Sequence, residues 1–378
     1  MFKIRKETLK FALGLCSKVL APRQAEEIVY RSLRLKSFIY ENNAYLAFSA
    51  NGGYNAVSIP GMPLEEMGDP IDILVEAEKL VSIIDKASVD FILVEVIDGE
   101  IVLISANGEN KLRYLNGEAI PLLPIYSNEE SNKVGSLLLK DFNSYCKLAV
   151  PFVTVDVHNE LVMGLCIEHG KMFATDEKKG VVLEEIGIDC NKIAFNPLAA
   201  EIVKDLDVEE TVNFYLGGAD GAEEPTHLVL EVNGIEIFVL KYKSHFPTVE
   251  ILSVKDRCNR ENTNTFVVGR LTTLQALGRV GVFLDQNDLL GITPGNGGIL
   301  LETMDARTGE LGKEFVESDI NVEEELLDVK IFVSFNNFRI LLEALNVDVV
   351  EFFFSSNSQT MSIVSDNNFF FLTKKKVN

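Results

Sequence analysis

Tryptophan is absent from this 378-residue chain, and only four histidines are present. Cysteine occurs five times (Cys16, Cys146, Cys166, Cys190, Cys258), an odd number without a CxxC pair, which speaks against a disulfide framework and a paired-cysteine redox or metal motif. Free, buried thiols in a reducing cytosol are the expectation, and with them a cytoplasmic protein. His158, His169, His227 and His245 show no HExxH or other ligand spacing, so no metal site is expected. Long apolar runs are missing too: no stretch approaches the about 18 uninterrupted apolar residues of a membrane-crossing helix. The N-terminal MFKIRKETLKFALGLC places basic residues before an apolar stretch, but Lys10 interrupts it and no small-residue cleavage site follows. It reads as a helix of the mature protein. Positive charge is also scarce: 35 Lys and Arg against 57 Asp and Glu give a net charge of −22. Taken over the whole chain, that balance argues against a nucleic-acid partner, whose phosphates are bound by Lys and Arg.

What is abundant is apolar surface. Apolar residues make up 47% of the chain and aromatic ones 9%, which excludes disorder and supports real cores. At roughly 150 residues per domain, two or three domains are expected. Three stretches share one grammar, a short apolar strand, an amphipathic helix, then β-rich runs punctuated by turns: Ile71 to Leu115, Lys192 to Lys243, and Val329 to Lys376. Their helices begin near Val75, Asn196 and Asn336, so the period is domain-sized rather than solenoid-sized. Ala77, Leu80, Val81 and Ile84 lie at helical spacing, as do Leu198, Ile202, Val203 and Leu206, and Leu341, Leu342 and Leu345. Asn196-Pro197 has the form of an N-cap followed by proline at the first helical position. Asn233-Gly234 between His227–Val232 and Ile235–Leu240 predicts a hairpin with a type I′ turn.

A further helix precedes each unit: residues 4–20, with Leu9, Leu13, Cys16 and Leu20 on one face, Asp141 to Val153, and Asn262 to Val280. More β-rich runs follow at Lys36 to Phe48, Leu161 to Thr175 and Val282 to Thr293. The predicted plan is α+β, three tandem copies of two helices packed on antiparallel sheets, with domains 1–126, 127–253 and 254–378. Linkers are expected at Leu122 to Asn132 and near Leu252 to Asn259.

Catalytic signatures are missing. Gly291 to Gly298, GITPGNGG, lacks the GK[ST] ending of a phosphate-binding loop and reads as a turn. Leu216 to Glu224, LGGADGAEE, does not fit the EF-hand positions and reads as a hairpin loop. Asp176 beside Lys178 and Lys179 reads as a solvated turn. The chain is therefore expected to be no enzyme and to carry no cofactor.

The basic minority is not spread evenly. Residues 1–23 hold Lys3, Arg5, Lys6, Lys10, Lys18 and Arg23 against Glu7 alone, while residues 307–328 hold eight acids against Arg307 and Lys313. Lys6, Lys10 and Lys18 form a stripe opposite the apolar face of the first helix. Lys79 and Lys86 share a face of the second, and Lys147, Lys204, Arg270, Arg279 and Arg339 fall on further predicted helices. Helices that line one surface would make a positive track that binds phosphates without reading bases.

With the repeat and the basic helices in view, the chain resembles the bacterial-type sliding clamp, the beta subunit of the replicative DNA polymerase III, in a divergent or phage-borne form. The resemblance covers nearly the whole chain. KMFATD (Lys171 to Asp176) is similar to the family's strand ending in ATDGHRL, His245-Phe246-Pro247 to its RFPDY, and SFNNFRILLEAL (Ser334 to Leu345) to its GFNVxYLLDAL helix. NGENKLRYL (Asn107 to Leu115) resembles the family's SGRSRFSL strand, and FFFLT (Phe369 to Thr373) stands where the family has a YxxMPMR-like strand.

The resemblance implies a homodimer, two copies joined head to tail as a ring of six like domains around duplex DNA. Such a protein is non-catalytic and tethers a polymerase. It implies a sliding surface of Lys6, Lys10, Lys18, Lys79, Lys86, Lys147, Lys204, Arg270 and Arg339. It further implies that the DNA polymerase and clamp loader dock a short hydrophobic linear motif in a cleft that includes Thr175, Pro247, Asn336, Leu372 and Thr373, with Val181 and Leu252 as apolar walls. The chain departs from the pattern at Glu177, Lys178 and Lys179, where the family has Gly-His-Arg, and at Thr373, which replaces a proline. Two other classes stay open: a structural assembly protein, and a β-rich small-molecule or carbohydrate-active enzyme. The latter sits poorly with the absence of Trp and of a carboxylate pair distinct from the acidic background.

Overall fold

A computed structural model describes residues 1–22, 27–97, 99–105, 108–153, 164–207, 209–218, 224–242, 246–356 and 358–375. Arg23, Asn107, His158, the start of the Leu161–Thr175 run, residues 219–223 of the LGGADGAEE loop, Lys243, His245 and Lys376 lie outside the described residues. Seven helices are found among them: α1 (Lys6–Val19), α2 (Ala77–Lys86), α3 (Leu139–Ala149), α4 (Leu198–Val203), α5 (Thr248–Glu261), α6 (Arg270–Val280) and α7 (Phe335–Ala344). No described helix is long and apolar enough to cross a membrane. The chain forms two compact units, Met1–Asn143 with Leu198–Tyr242, and Ser144–Pro197 with Lys243–Asn378.

The first unit holds one antiparallel sheet of fourteen strands. Its path runs from Ile125–Tyr126 through Thr211–Gly218, His227–Val232 and Ile235–Leu240. It continues with Ala56–Pro63, Asn43–Asn51, Ser32–Tyr40, Asp72–Glu76, Gly108–Asn116, Glu100–Ser105 and Phe91–Ile97, and ends at Phe2–Arg5 and Glu66–Met67. The pairing Ile237↔Val57 joins strands of the second sequence repeat to those of the first. The hairpin at Asn233-Gly234 forms as expected, with φ of 51° and 79°, both in the left-handed region that a type I′ turn requires. A second such turn, Glu41-Asn42 with φ of 50° and 64°, splits the Lys36–Phe48 run into two strands. Leu9, Ala12, Leu13, Leu15, Cys16 and Val19 of α1 are buried against Asn43–Asn51 and Ala56–Pro63, each large side chain contributing about 2 kcal/mol of apolar transfer.

The second unit holds a twelve-stranded antiparallel sheet. Its path runs Ile193–Phe195, Leu165–Glu168, Lys171–Thr175, Lys179–Leu183, Asn368–Thr373, Thr360–Ser365, Val349–Phe354, Asn264–Gly269, Leu311–Asn321, Gly298–Met304, Leu289–Gly295, Ile331–Ser334. Val181↔Phe370 is the pairing that joins second-repeat to third-repeat strands. The Phe-rich runs of the sequence supply the core: Phe266 and Phe338 stack on Phe352 at 4.8 and 5.0 Å between ring centroids, within the favourable offset range. GITPGNGG belongs to a hairpin in which Gly295 and Gly298 are paired.

Four expectations are corrected. Asn262–Val280 is not one helix. Asn264–Gly269 alternates buried and half-buried residues and runs as a strand between Val349–Phe354 and Leu311–Asn321, and only Arg270–Val280 is helical. The region Leu252 to Asn259 is no linker but part of α5, which buries Ile251 and Cys258 and leaves its charged residues other than Lys255 exposed. Residues Phe2–Arg5 form a strand, and the first helix starts at Lys6. The helix predicted from Asp141 starts at Leu139 and stops at Ala149, where a single 3₁₀ turn, Val150–Phe152, with Pro151 takes over. All five cysteines are free, four of them buried and Cys190 half-buried.

Candidate nucleic-acid and partner interfaces

Where each basic side chain ends decides whether it can meet a phosphate. In the first unit, Lys6 Nζ donates to the carbonyl of Ala87, the C-cap of α2, at 2.6 Å, and so satisfies an orphan carbonyl at the negative end of that helix. Lys18 is largely covered. Its ammonium donates to the Glu201 carbonyl and pairs with Asp205 at 2.6 Å, tying α1 to α4. Lys10 and Lys79 point outward, each with a carboxylate neighbour, Asp85 at 3.1 Å and Glu76 at 2.9 Å. Lys204 pairs with Glu201 along its own segment, and Lys86 is exposed.

In the second unit, Arg270 Nε donates to the Leu342 carbonyl at 2.7 Å and fastens the last turn of α7. Arg339 makes an exposed i,i+4 pair with Glu343 at 2.8 Å, and Lys147 is exposed. Arg279 holds Glu314 through two bonds of 2.8 and 3.1 Å. The nine predicted sliding-surface residues therefore fall into two groups. Lys6, Lys18 and Arg270 are engaged within the fold, while Lys10, Lys79, Lys86, Lys147, Lys204 and Arg339 present their charge to solvent.

The predicted docking residues all lie in the second unit. Thr175 closes Lys171–Thr175, and its hydroxyl donates to the Lys179 carbonyl at 2.8 Å while accepting from Glu177 N at 3.0 Å. Asp176 Oδ1 accepts from the backbone N–H groups of Lys178 and Lys179 at 2.9 and 2.8 Å, an Asx turn that lets Glu177 adopt φ 71°. Thr373 of the adjoining strand donates its N–H to the Lys178 carbonyl at 2.8 Å, and Lys179 is the partner of Leu372. Thr175, Val181 and Leu372 are buried at 2%, 0% and 1% exposure, and Thr373 is half-buried. Pro247 precedes α5, which packs against Lys179–Leu183 and carries the half-buried Leu252. Asn336 is exposed at the start of α7, where Asp288 and Ser334 accept from three successive N–H groups, Phe335, Asn336 and Asn337.

Sequence reasoning missed the side chain at the centre of this arrangement. Lys179 is only 6% exposed. Its ammonium binds Asp176 Oδ2 at 2.6 Å and Asn337 Oδ1 at 3.3 Å, which links the turn to α7. The expected solvated turn is thus a polar network closed by Lys179 and Asp176, while Glu177 and Lys178 remain exposed. A related clamp fixes α5: Glu184 accepts from Lys171 and Lys255, each at 2.5 Å. Burial raises the Glu184 pKa, but the two lysine hydrogen bonds outweigh it and hold the carboxyl below its ordinary value.

No protein-family description and no curated protein matches the sequence. Solved structures do match. The DNA polymerase III beta chain of Streptococcus pneumoniae superposes with a TM-score of 0.82 at 16% identity, covering 100% of this chain and 99% of that one. The beta subunit of Thermotoga maritima gives 0.81 at 12% identity with the same coverage. The Pseudomonas aeruginosa sliding clamp bound to griselimycin gives 0.80 at 16% identity, again with the same coverage. Over its full length, the chain has the fold of the bacterial DNA polymerase III beta sliding clamps.

Proposed function

We propose that this protein is a sliding clamp, a non-catalytic processivity factor that encircles duplex DNA and tethers the replicative polymerase. The observation that carries the reading is the match over 100% of this chain and 99% of the matched clamps at TM-scores of 0.80 to 0.82. In this reading, the three sequence repeats 1–126, 127–253 and 254–378 are the clamp domains, and two copies close a ring through heterologous contacts. Lys10, Lys79, Lys86, Lys147, Lys204 and Arg339 supply the phosphate-facing charge, while Lys6, Lys18 and Arg270 hold the helices that carry it. Their salt-screened contacts carry no sequence information and permit sliding. Polymerase and loader dock a short hydrophobic motif on the surface bounded by Thr175, Pro247, Leu252, Asn336 and Thr373, over the buried Val181 and Leu372. The working compartment is the cytoplasm.

Light scattering tests the dimer, which is expected at about twice the 42.0 kDa chain mass. Electron microscopy tests the ring. Reversing Lys10, Lys86 and Lys204 to Glu together is expected to weaken retention on nicked circular DNA while leaving thermal unfolding unchanged. A stable monomer, a particle without a hole, or unchanged retention refutes the reading.

A further inference from the structure

Beside Ile331–Ser334, the edge strand of the second unit's sheet, lies a cavity of 220 Å³. Three lysines, Lys330, Lys374 and Lys375, contribute to its lining together with Phe332, Phe354 and Ser355, and none of the described lining residues is acidic. In a chain of net charge −22, such a collection of cations is the reverse of the general surface. Two of the three are held from outside the cavity: Lys330 by Glu302, and Lys375 by the carbonyls of Asn287 and Asp288, both at 2.8 Å, with the Asp288 carboxylate at 3.9 Å. Lys374 differs. Its Nζ donates to the Ser355 carbonyl at 2.5 Å and lies 5.7 Å from the centre of the Phe354 ring, a carbonyl and a π face where the described residues supply no counter-ion.

We propose that this cavity is a docking site for an acidic peptide segment of a partner protein. An apolar side chain of the segment packs against Phe332 and Phe354, and its carboxylate lands on Lys374 with Lys330 and Lys375 at the rim. The apolar wall favours a carboxylate carried on an apolar body over a free inorganic anion, which would leave that wall wet. Ion pairing also answers the energetics of Lys374. Burial disfavours its charged form and pulls its pKa from 10.5 to about 8, with the Cys258 sulfur, if ionised, pushing the other way. An incoming carboxylate restores the charged form. The segment that supplies Leu326 and Val329 to the lining also carries the exposed acids Glu323, Glu324, Glu325 and Asp328. This site goes beyond the clamp reading and does not depend on it, because it lies within one unit and needs neither DNA nor a ring.

The test is fluorescence anisotropy of the full chain with a labelled ten-residue peptide containing Asp and Glu next to Leu and Phe. Its Asn/Gln counterpart and inorganic phosphate serve as competitors. Saturable binding of the acidic peptide is expected, with competition by neither. Lys374→Met is expected to weaken binding about tenfold, the equivalent of one charge-assisted hydrogen bond. Affinity should fall as pH rises from 7 to 9 in the parent chain, since binding needs the ammonium, and Lys374→Arg should bind well and flatten that dependence. Lys330→Gln provides a second variant should Lys374→Met unfold, as judged by circular dichroism, and should also weaken binding. Equal binding of the neutral peptide, full competition by phosphate, or indifference to both lysine changes overturns the proposal. A ring that retains DNA normally alongside any of those results leaves the clamp reading standing.

Discussion

Replacing Lys179 with alanine isolates the polar network that joins the Asp176–Lys179 turn to α7. The substitution deletes an ammonium that is 6% exposed and leaves Asp176, whose side chain is 15% exposed, with its two backbone N–H donors but no counter-charge. Removing one partner of a fully buried pair costs about 3–5 kcal/mol, and exposed pairs contribute about 0–1 kcal/mol. Because the turn keeps its backbone bonds and Asp176 retains some solvent, a loss of about 2–3 kcal/mol is expected, between these limits. Lys178→Ala, one residue away on an exposed side chain, should change stability by less than about 0.5 kcal/mol. Urea unfolding followed by intrinsic tyrosine fluorescence reads the first quantity. Hydrogen exchange at the Thr373 amide, which donates to the Lys178 carbonyl, reads whether the loss is local to the turn. In Lys179→Ala/Asp176→Asn, part of the penalty should be recovered, because the orphaned charge is gone. If Lys179→Ala and Lys178→Ala prove equally mild, the buried pair contributes nothing and the network account fails.

Acidification should destabilise the second unit through two carboxylates. Glu184 between Lys171 and Lys255, and Glu302 between Lys313 and Lys330, both titrate below the ordinary 4.5 because lysine hydrogen bonds outweigh the opposing effect of burial. A depressed carboxylate contributes stability above its unfolded pKa and loses it as pH falls through the folded value, so thermal midpoints should drop below about pH 4.5. Glu184→Gln and Glu302→Gln together should flatten that drop, and an unaltered acid limb would refute the assignment. Gly298→Ala should cost about 1–3 kcal/mol by overpacking, because a Cβ there would sit inside van der Waals distance of the Phe315 ring and the Val316 carbonyl. Parent-like thermal unfolding of that variant would show that the strand shifts freely to accommodate it.

Much of the fold is legible where one local rule dominates. The Asn233-Gly234 turn forms because only residues tolerant of positive φ fit there. The helices α1, α2 and α7 follow from apolar residues at helical spacing, since each buries one stripe. Legibility fails where neighbouring elements have the same general character. The strand Asn264–Gly269 sits between two helices with no proline or turn at its ends, and α5 carries six charged residues that imitate a linker. The docking region is legible in position only. Lys178 and Lys179 are identical letters, and what separates an exposed ammonium from a buried one is the pleat of a strand whose partner, Asn368–Thr373, lies far away in sequence. The capping of α7 by Asp288 escaped notice for the same reason, because the donor and acceptor segments are distant along the chain.

The division of the second repeat between two sheets has a temporal consequence on the ribosome. The described strands of the first sheet end at Leu240, so it can close before Asn264–Gly269 and the later strands of the second sheet are made. Lys179–Leu183 emerges earlier than the last strands of that sheet, yet its neighbour Asn368–Thr373 emerges well after them. During the interval it stands as an unpaired apolar edge of Gly180, Val181, Val182 and Leu183, the kind of segment that recruits foreign strands. Newly made chains therefore pass through a stage in which one sheet is complete and the other still lacks the strand that covers Lys179–Leu183, and that stage is the one most open to misassembly.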